Sequence, residues 1–170
     1  MERVKHPIDP VYDANSRILI LGSFPSVKSR QQQFFYAHPQ NRFWRLLAIL
    51  FKEETPITIE EKKACLLRNR IALWDVIASC EIEGSSDSSI HNVEANDLSM
   101  ILNTADIKTI YVNGKTAEKM YYRYTLAKTG RQCVYLPSTS GANAAMNMDR
   151  LIEKWQRITE EERCSENERV

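Results

Sequence analysis

No apolar run in the 170-residue sequence is long enough to cross a membrane, and the opening MERVKHPIDP lacks the hydrophobic segment of a secretory signal. Both absences point to an intracellular, cytoplasmic protein with no membrane partner. Cysteine is sparse and scattered, because Cys65, Cys80, Cys133 and Cys164 form no CxxC and no paired Cys/His spacing of the kind that zinc or iron–sulfur sites need. Free thiols are expected, with no metal and no cofactor. The chain contains no GxxxxGK[ST], so Gly22-Ser23-Phe24-Pro25 is not a P-loop, and no GxSxG, which removes the nucleophile elbow. Internal repeats and low-complexity tracts are also missing. A chain of this length that is 43% hydrophobic suffices for one domain with a core of its own, with 1–16 as an irregular entry and 163–170 as a charged, frayed tail.

Net charge is scarcely present either, at +1, but its distribution is uneven. Residues 14–52 hold six basic side chains (Arg17, Lys28, Arg30, Arg42, Arg45, Lys52) and no acid; residues 107–148 hold six more (Lys108, Lys115, Lys119, Arg123, Lys128, Arg131) against Glu118 alone. Two distant segments of one sign are expected to build one positive face suited to a nucleic acid.

What is there is a succession of short apolar strands and helices. Residues 18–21 are continuously apolar, as a strand buried on both faces must be, and 71–77, 109–114 and 132–136 repeat the theme. Between them, FWRLLAILF places Phe43, Leu46, Leu47 and Leu50 at helical spacing, Thr58 with Glu61 makes a capping-box pattern ahead of EEKKACLLRN, and 96–103 reads as a short helix. KTAEKMYYRYTLAK forms a helix closed by Gly130, and 149–162 supplies the last, with Leu151, Ile152, Trp155 and Ile158 on one stripe. The order β, α, α, β, α, β, α, β, α predicts a three-layer α/β/α fold around a four-stranded parallel sheet with right-handed crossovers. All loops after the strands' carboxyl ends then share one edge, where open α/β folds bind their ligands.

Two of those loops carry unusual chemistry. The first, after residues 18–21, runs through GSFPSVKSRQQQFFYAHPQN, rich in stacking rings and amides; the second, PSTSGANAAM, offers hydroxyls and small residues that let another backbone come close. Gly22, Ser23 and Phe24 shape a pocket floor, Phe35 and Tyr36 are candidate stacking rings, and His38, directly before Pro39, is either a donor or the closure of a turn. Trp74 and Asp75 close the second strand at the same edge.

GSFPS followed by YAHPQNRFW, together with LPSTSGANA after the fourth strand, resembles the uracil-DNA glycosylase superfamily and, within it, the hypoxanthine-DNA (deoxyinosine) glycosylase family. The resemblance covers roughly residues 17–155, including LWDVIASCEIEGSSDSSI and YVNGKTA. It implies strand order 2-1-3-4 and a monofunctional, metal-independent enzyme that flips a deaminated base out of double- or single-stranded DNA. The enzyme would hydrolyse the N-glycosidic bond of that base as a monomer. The acid or amide that most of the superfamily keeps just past the first-strand glycine is replaced here by Ser23 and Phe24. In the hypoxanthine family the role falls to the asparagine of HPxN, hence Asn41, whose carbonyl is expected to hold the attacking water. Gly22, Ser23, Phe24, Phe35, Tyr36, His38, Trp74 and Asp75 are then the base pocket. Ser138, Thr139, Ser140, Gly141, Asn143, Lys28 and Arg42 are expected on the DNA, with 144–148 as the wedge that fills the emptied stack. Two departures from the family pattern, Ser26 for glycine and Gly141 for proline, bear on loop shape. The same features leave open a uracil- or xanthine-preferring enzyme of this fold, or a non-catalytic module that binds a nucleotide or damaged DNA.

Overall fold

The four apolar runs lie side by side and parallel. In the computed structural model, which describes residues 2–160, they are β2 (Ile18–Gly22), β3 (Ile71–Asp75), β6 (Thr109–Asn113) and β7 (Val134–Leu136), arranged β3-β2-β6-β7. Counted among the parallel strands alone, this is the expected order 2-1-3-4. Every residue of β2 and β3 is buried, because helices and the N-terminal segment cover both faces. Register places Leu21 beside both Trp74 and Val112, so the strands end together at one edge.

The helices are α1 (Val27–Gln32), α2 (Phe43–Phe51), α3 (Ile59–Arg68), α4 (Ser99–Thr104), α5 (Lys115–Met120), α6 (Leu126–Thr129) and α7 (Met148–Trp155). α2 buries Phe43, Leu46, Leu47 and Leu50 as its periodicity predicts, and α3 starts where Thr58 Oγ1 accepts from the Glu61 N–H at 3.1 Å. α5 widens into a π-helical turn, Tyr121–Thr125, before α6 closes at Gly130 with φ 66°. α7 packs on α2, with Trp155 edge-on to Phe43 at 6.0 Å. The Trp155 indole also donates to the Pro137 carbonyl at 2.9 Å, which ties the loop after β7 to the core. The last helix was expected to reach residue 162; residues 161–162, the frayed tail and Cys164 lie outside the described residues. Cys65, Cys80 and Cys133 are free and buried.

Three features depart from the periodicity. The run 71–77 is not one strand: it breaks at Val76, whose N–H reaches back to the Gly22 carbonyl at 2.8 Å, and the chain turns into β4 (Ile77–Glu81). β4 pairs antiparallel with β1 (Arg3–Lys5) and β5 (His91–Ala95) in a second, three-stranded sheet, so the entry segment and the polar stretch after the second strand are partly strand. Asn96 stitches the corner, its Nδ2 donating to the carbonyls of Asp75 (2.9 Å) and Ile77 (3.2 Å). These strands are short and carry Arg, Lys, Ser, Glu, His and Asn, so their composition resembles loop, although Val4, Ile77, Cys80 and Val93 pack against the core and act with the ladder hydrogen bonds to hold them. The third departure is α1, hidden in an amide-rich stretch. Ser26 caps it, its Oγ accepting from the Ser29 N–H at 3.2 Å, so serine at a place where glycine was expected is a helix cap at an ordinary φ of −62°.

Candidate active site

The loops beyond β2, β3, β6 and β7 enclose a cavity of about 780 Å³. On one side stand Gly22 to Ser26, Phe35, Tyr36, His38 and Asn41; on the other Asn113, Lys115, Thr116 and the 138–143 loop; Asp75 closes it between them.

The segment YAHPQNRFW folds as a unit, held by hydrogen bonds and ring contacts within itself and to Phe35 and Thr139. The His38 carbonyl accepts from the Asn41 N–H at 2.9 Å and His38 Nδ1 from the Gln40 N–H at 3.1 Å, so His38 builds the turn and leaves Nε2 towards the cavity. Tyr36, at φ 52°, stacks on Phe43 at 4.2 Å, and the Trp44 indole donates to the Phe35 carbonyl at 3.1 Å. Tyr36 therefore spends one face of its ring on Phe43. Phe35 is buried against Phe34 and His6. Phe24 is half-exposed at the cavity, as are Tyr36 and Tyr135, and has His6 edge-on at 5.9 Å and the Arg30 guanidinium over it at 5.6 Å.

Asn41 is latched by a buried amide–hydroxyl chain. Its Oδ1 accepts from the Phe43 N–H (2.9 Å) and from the Thr139 hydroxyl (2.9 Å). Thr139 Oγ1 accepts from Asn113 Nδ2 (3.1 Å), and the Thr139 N–H donates to Asn113 Oδ1 (3.1 Å). The two backbone N–H groups can only donate, so they fix both amide orientations and every proton in the chain follows. The carbonyl expected to hold a water is thus saturated by the protein, and Asn41 turns Nδ2 to the cavity instead. A Thr139→Val variant keeps the shape but strands Asn113 Nδ2 and removes one anchor of Asn41. It should unfold at lower urea, a loss of about 1–3 kcal/mol with unchanged m, and an unaltered midpoint would show the latch to be idle.

Several residues sit elsewhere than their sequence position implied. Thr139, expected on DNA, is wholly buried in this latch. Arg42 is likewise turned inward, donating to the carbonyls of Thr139, Ser140, Asn143 and Met146, so it clamps the loop rather than a phosphate. Gly141 lets the protein's own chain come near, since a Cβ there would stand 2.9 Å from Gln40 Cβ and 3.1 Å from the Gln40 carbonyl. Ser138, Ser140 and Asn143 do line the cavity, bonded among themselves, whereas Trp74 does not; its indole donates to the Ile8 carbonyl at 3.1 Å. Lys28 is exposed on α1, outside the lining. Of 144–148, Met146 and Met148 pack against the core, leaving Ala144, Ala145 and the α7 cap Asn147 exposed.

The single basic face does not form, because each basic segment spans the sheet from end to end. Arg17 and Arg131 bind carbonyls at the amino edge (Ala14 and Ser16; Ile107 and Lys108), while Lys115 stands at the cavity.

Cavity residues that the sequence did not single out, although two of their loops were expected at this edge, include Asn113, Lys115, Thr116, Tyr135 and Asp87; His6 stands behind Asp75, outside the lining. Burial pushes the Asp87 carboxyl above its usual range, opposed by a hydrogen bond with Thr116. Asn113 had a legible signal, a polar residue ending an apolar strand. His6 had none, standing 69 residues from its partner.

The model of the Uracil DNA glycosylase superfamily matches residues 10–160. A hypoxanthine DNA glycosylase of Methanosarcina acetivorans is 38% identical over 157 residues, covering 91% of this chain and 98% of that protein. A protein of the same name from Methanosarcina barkeri is 38% identical over 141 residues, 82% of this chain and 88% of its own. A solution NMR structure from Methanosarcina acetivorans, described as a candidate uracil DNA glycosylase, superposes with a TM-score of 0.78 at 37% identity over 92% of this chain and 97% of that one. With the parallel sheet in order, the cavity at its carboxyl edge and a family match across nearly all described residues, the chain belongs to the uracil DNA glycosylase superfamily.

Proposed function

We propose that the protein is a hypoxanthine DNA glycosylase: it takes a deoxyinosine base out of the stack and hydrolyses its N-glycosidic bond, leaving an abasic site. The observation that carries this reading is the latched Asn41, an amide held rigid by Phe43 and Thr139 with its N–H₂ free in a cavity large enough for a purine. Departure of a purine leaves oxocarbenium character on the sugar and negative charge on the base, so the protein needs positioned dipoles more than a strong base. Asn41 Nδ2 donates to the oxygen of the attacking water and leaves its other lone pair facing C1′. The relatives of the same name, similar over most of their length, support the substrate class. Phe24 stacks on the extruded base, and stacking at roughly 1–3 kcal/mol offsets much of the few kcal/mol that extrusion costs. Ser138, Ser140, Asn143, Gly141 and Lys115 face the DNA strand, and the enzyme acts as a monomer in the cytoplasm.

Duplexes and single strands carrying one inosine, uracil or xanthine, incubated with the protein in EDTA and then cleaved with alkali, test the reading. Hypoxanthine should be released, with no borohydride-trapped adduct. Release from uracil alone would overturn the base assignment, and release from none would favour a binding module.

A further inference from the structure

Resting on that purine reading, the ring that stacks on the base carries a cation on its far side that no step above uses. Phe24 lines the cavity whereas Arg30 does not, and the Arg30 guanidinium stands over the Phe24 ring at 5.6 Å from its centroid. The ring is therefore the layer between a positive charge and the space that the base enters. α1 aims this side chain. Arg30 lies in the last turn of the helix and reaches back past its cap, Nη1 donating to the Pro25 carbonyl at 3.0 Å. Nη2 donates across to the Gly84 carbonyl at 3.1 Å, in the loop between β4 and β5. Both partners are neutral, and no acidic side chain among the described residues forms an ion pair with Arg30. A guanidinium spent only on carbonyls stays charged and uncompensated.

The cavity floor holds the opposite sign. Asp75 lines it, with His6 Nε2 at 2.7 Å from Oδ2, so charge that builds on a departing purine meets a carboxylate there. As the glycosidic bond breaks, its electron pair leaves with the purine. A cation behind a stacked ring acts on that pair with little loss, because a hydrocarbon ring screens far less than water does. We propose that Arg30 is a positioning residue for the leaving purine: it fixes Phe24 against the base and sets a positive charge behind the ring, which offsets Asp75 and stabilises the electron pair that the base carries away. A unit charge one ring beyond the base, in a partly solvated protein, changes the rate by about 5- to 20-fold.

Single-turnover excision from duplexes carrying deoxyinosine or 8-aza-deoxyinosine tests this, because the added ring nitrogen of 8-azahypoxanthine lets that base carry negative charge with less help. Arg30→Gln keeps a donor for the Pro25 or Gly84 carbonyl and drops the charge, and Arg30→Met keeps an unbranched stem beside the ring. Each should lose about 5- to 20-fold on deoxyinosine and less than about threefold on the aza substrate, with duplex affinity within about twofold of wild type. Arg30→Lys, which restores the charge, should bring excision of deoxyinosine to within about threefold of wild type. Equal losses on both substrates, in whichever neutral variant folds, would make Arg30 a loop clamp only and overturn the inference. Neutral variants as fast as wild type, or a lysine variant as slow as the neutral ones, would overturn it too. Wild-type protein that releases no hypoxanthine overturns the glycosylase reading, and the role of Arg30 with it.

Discussion

Asn41→Ala should lower single-turnover release of hypoxanthine by about 10²–10³-fold while leaving duplex affinity within about twofold, as for other single preorganised donors. The size follows from the latch. Oδ1 takes hydrogen bonds from Phe43 and Thr139, so Nδ2 reaches the reacting region already oriented, and no entropy is spent on ordering it at the moment of bond breaking. Alanine removes the group and leaves the Thr139 hydroxyl to find another acceptor, at a stability cost of about 1 kcal/mol. Because Asn41 lies past the turn built by His38, its loss leaves Lys115, Ser138, Ser140 and Asn143 in place, and binding to an inosine duplex by anisotropy should persist. A turnover within threefold of wild type would make Asn41 a structural residue only.

Gly22→Ala should be nearly as damaging by a different route. Gly22 ends β2 in ordinary extended backbone, so the cost is one of space: a Cβ overlaps Asp75 Oδ1 and crowds the Tyr36 hydroxyl. Asp75 cannot simply step aside, because His6 grips Oδ2 and Asn96 holds the Asp75 carbonyl. Overpacking of this kind costs about 1–3 kcal/mol of stability. Displacing the floor of the cavity by even ~1 Å should lower excision about 10²-fold. Urea unfolding and single-turnover kinetics measured together check this; a variant with full activity would show that the close approach of these three residues serves nothing.

Much of the site was legible as neighbourhood and little of it as geometry. The strand-then-loop pattern at residues 17–47 falls on the cavity rim, because a strand and the loop that follows it are local in sequence, and the family resemblance of HPQN singles out Asn41. Which atom of Asn41 faces the cavity depends on Thr139 and Asn113, one at the β7 loop and one at the end of β6, and no local pattern carries that. Arg42 shows the same limit. Beside the catalytic candidate it looks like a phosphate ligand, yet a guanidinium facing four loop carbonyls is used before DNA arrives. Charge counted by segment failed for a topological reason: a stretch that crosses the sheet deposits its lysines and arginines at both ends.

By itself, the sequence determined the parallel strands, the helices α2, α3 and α7, the edge where their loops meet, and the family motifs. The motifs are legible through the family resemblance; the rest depend on interactions within a few residues or on apolar periodicity. Tertiary structure alone decided the second sheet of β1, β4 and β5, whose apolar residues Val4, Ile77, Cys80 and Val93 are too few and scattered in sequence to mark strands yet pack against the core. It alone brought His6 to Asp75, and set Asp75 and the Tyr36 hydroxyl against Gly22. These are long-range contacts between polar groups, fixed by packing of the whole chain, and no pattern within a few residues encodes them.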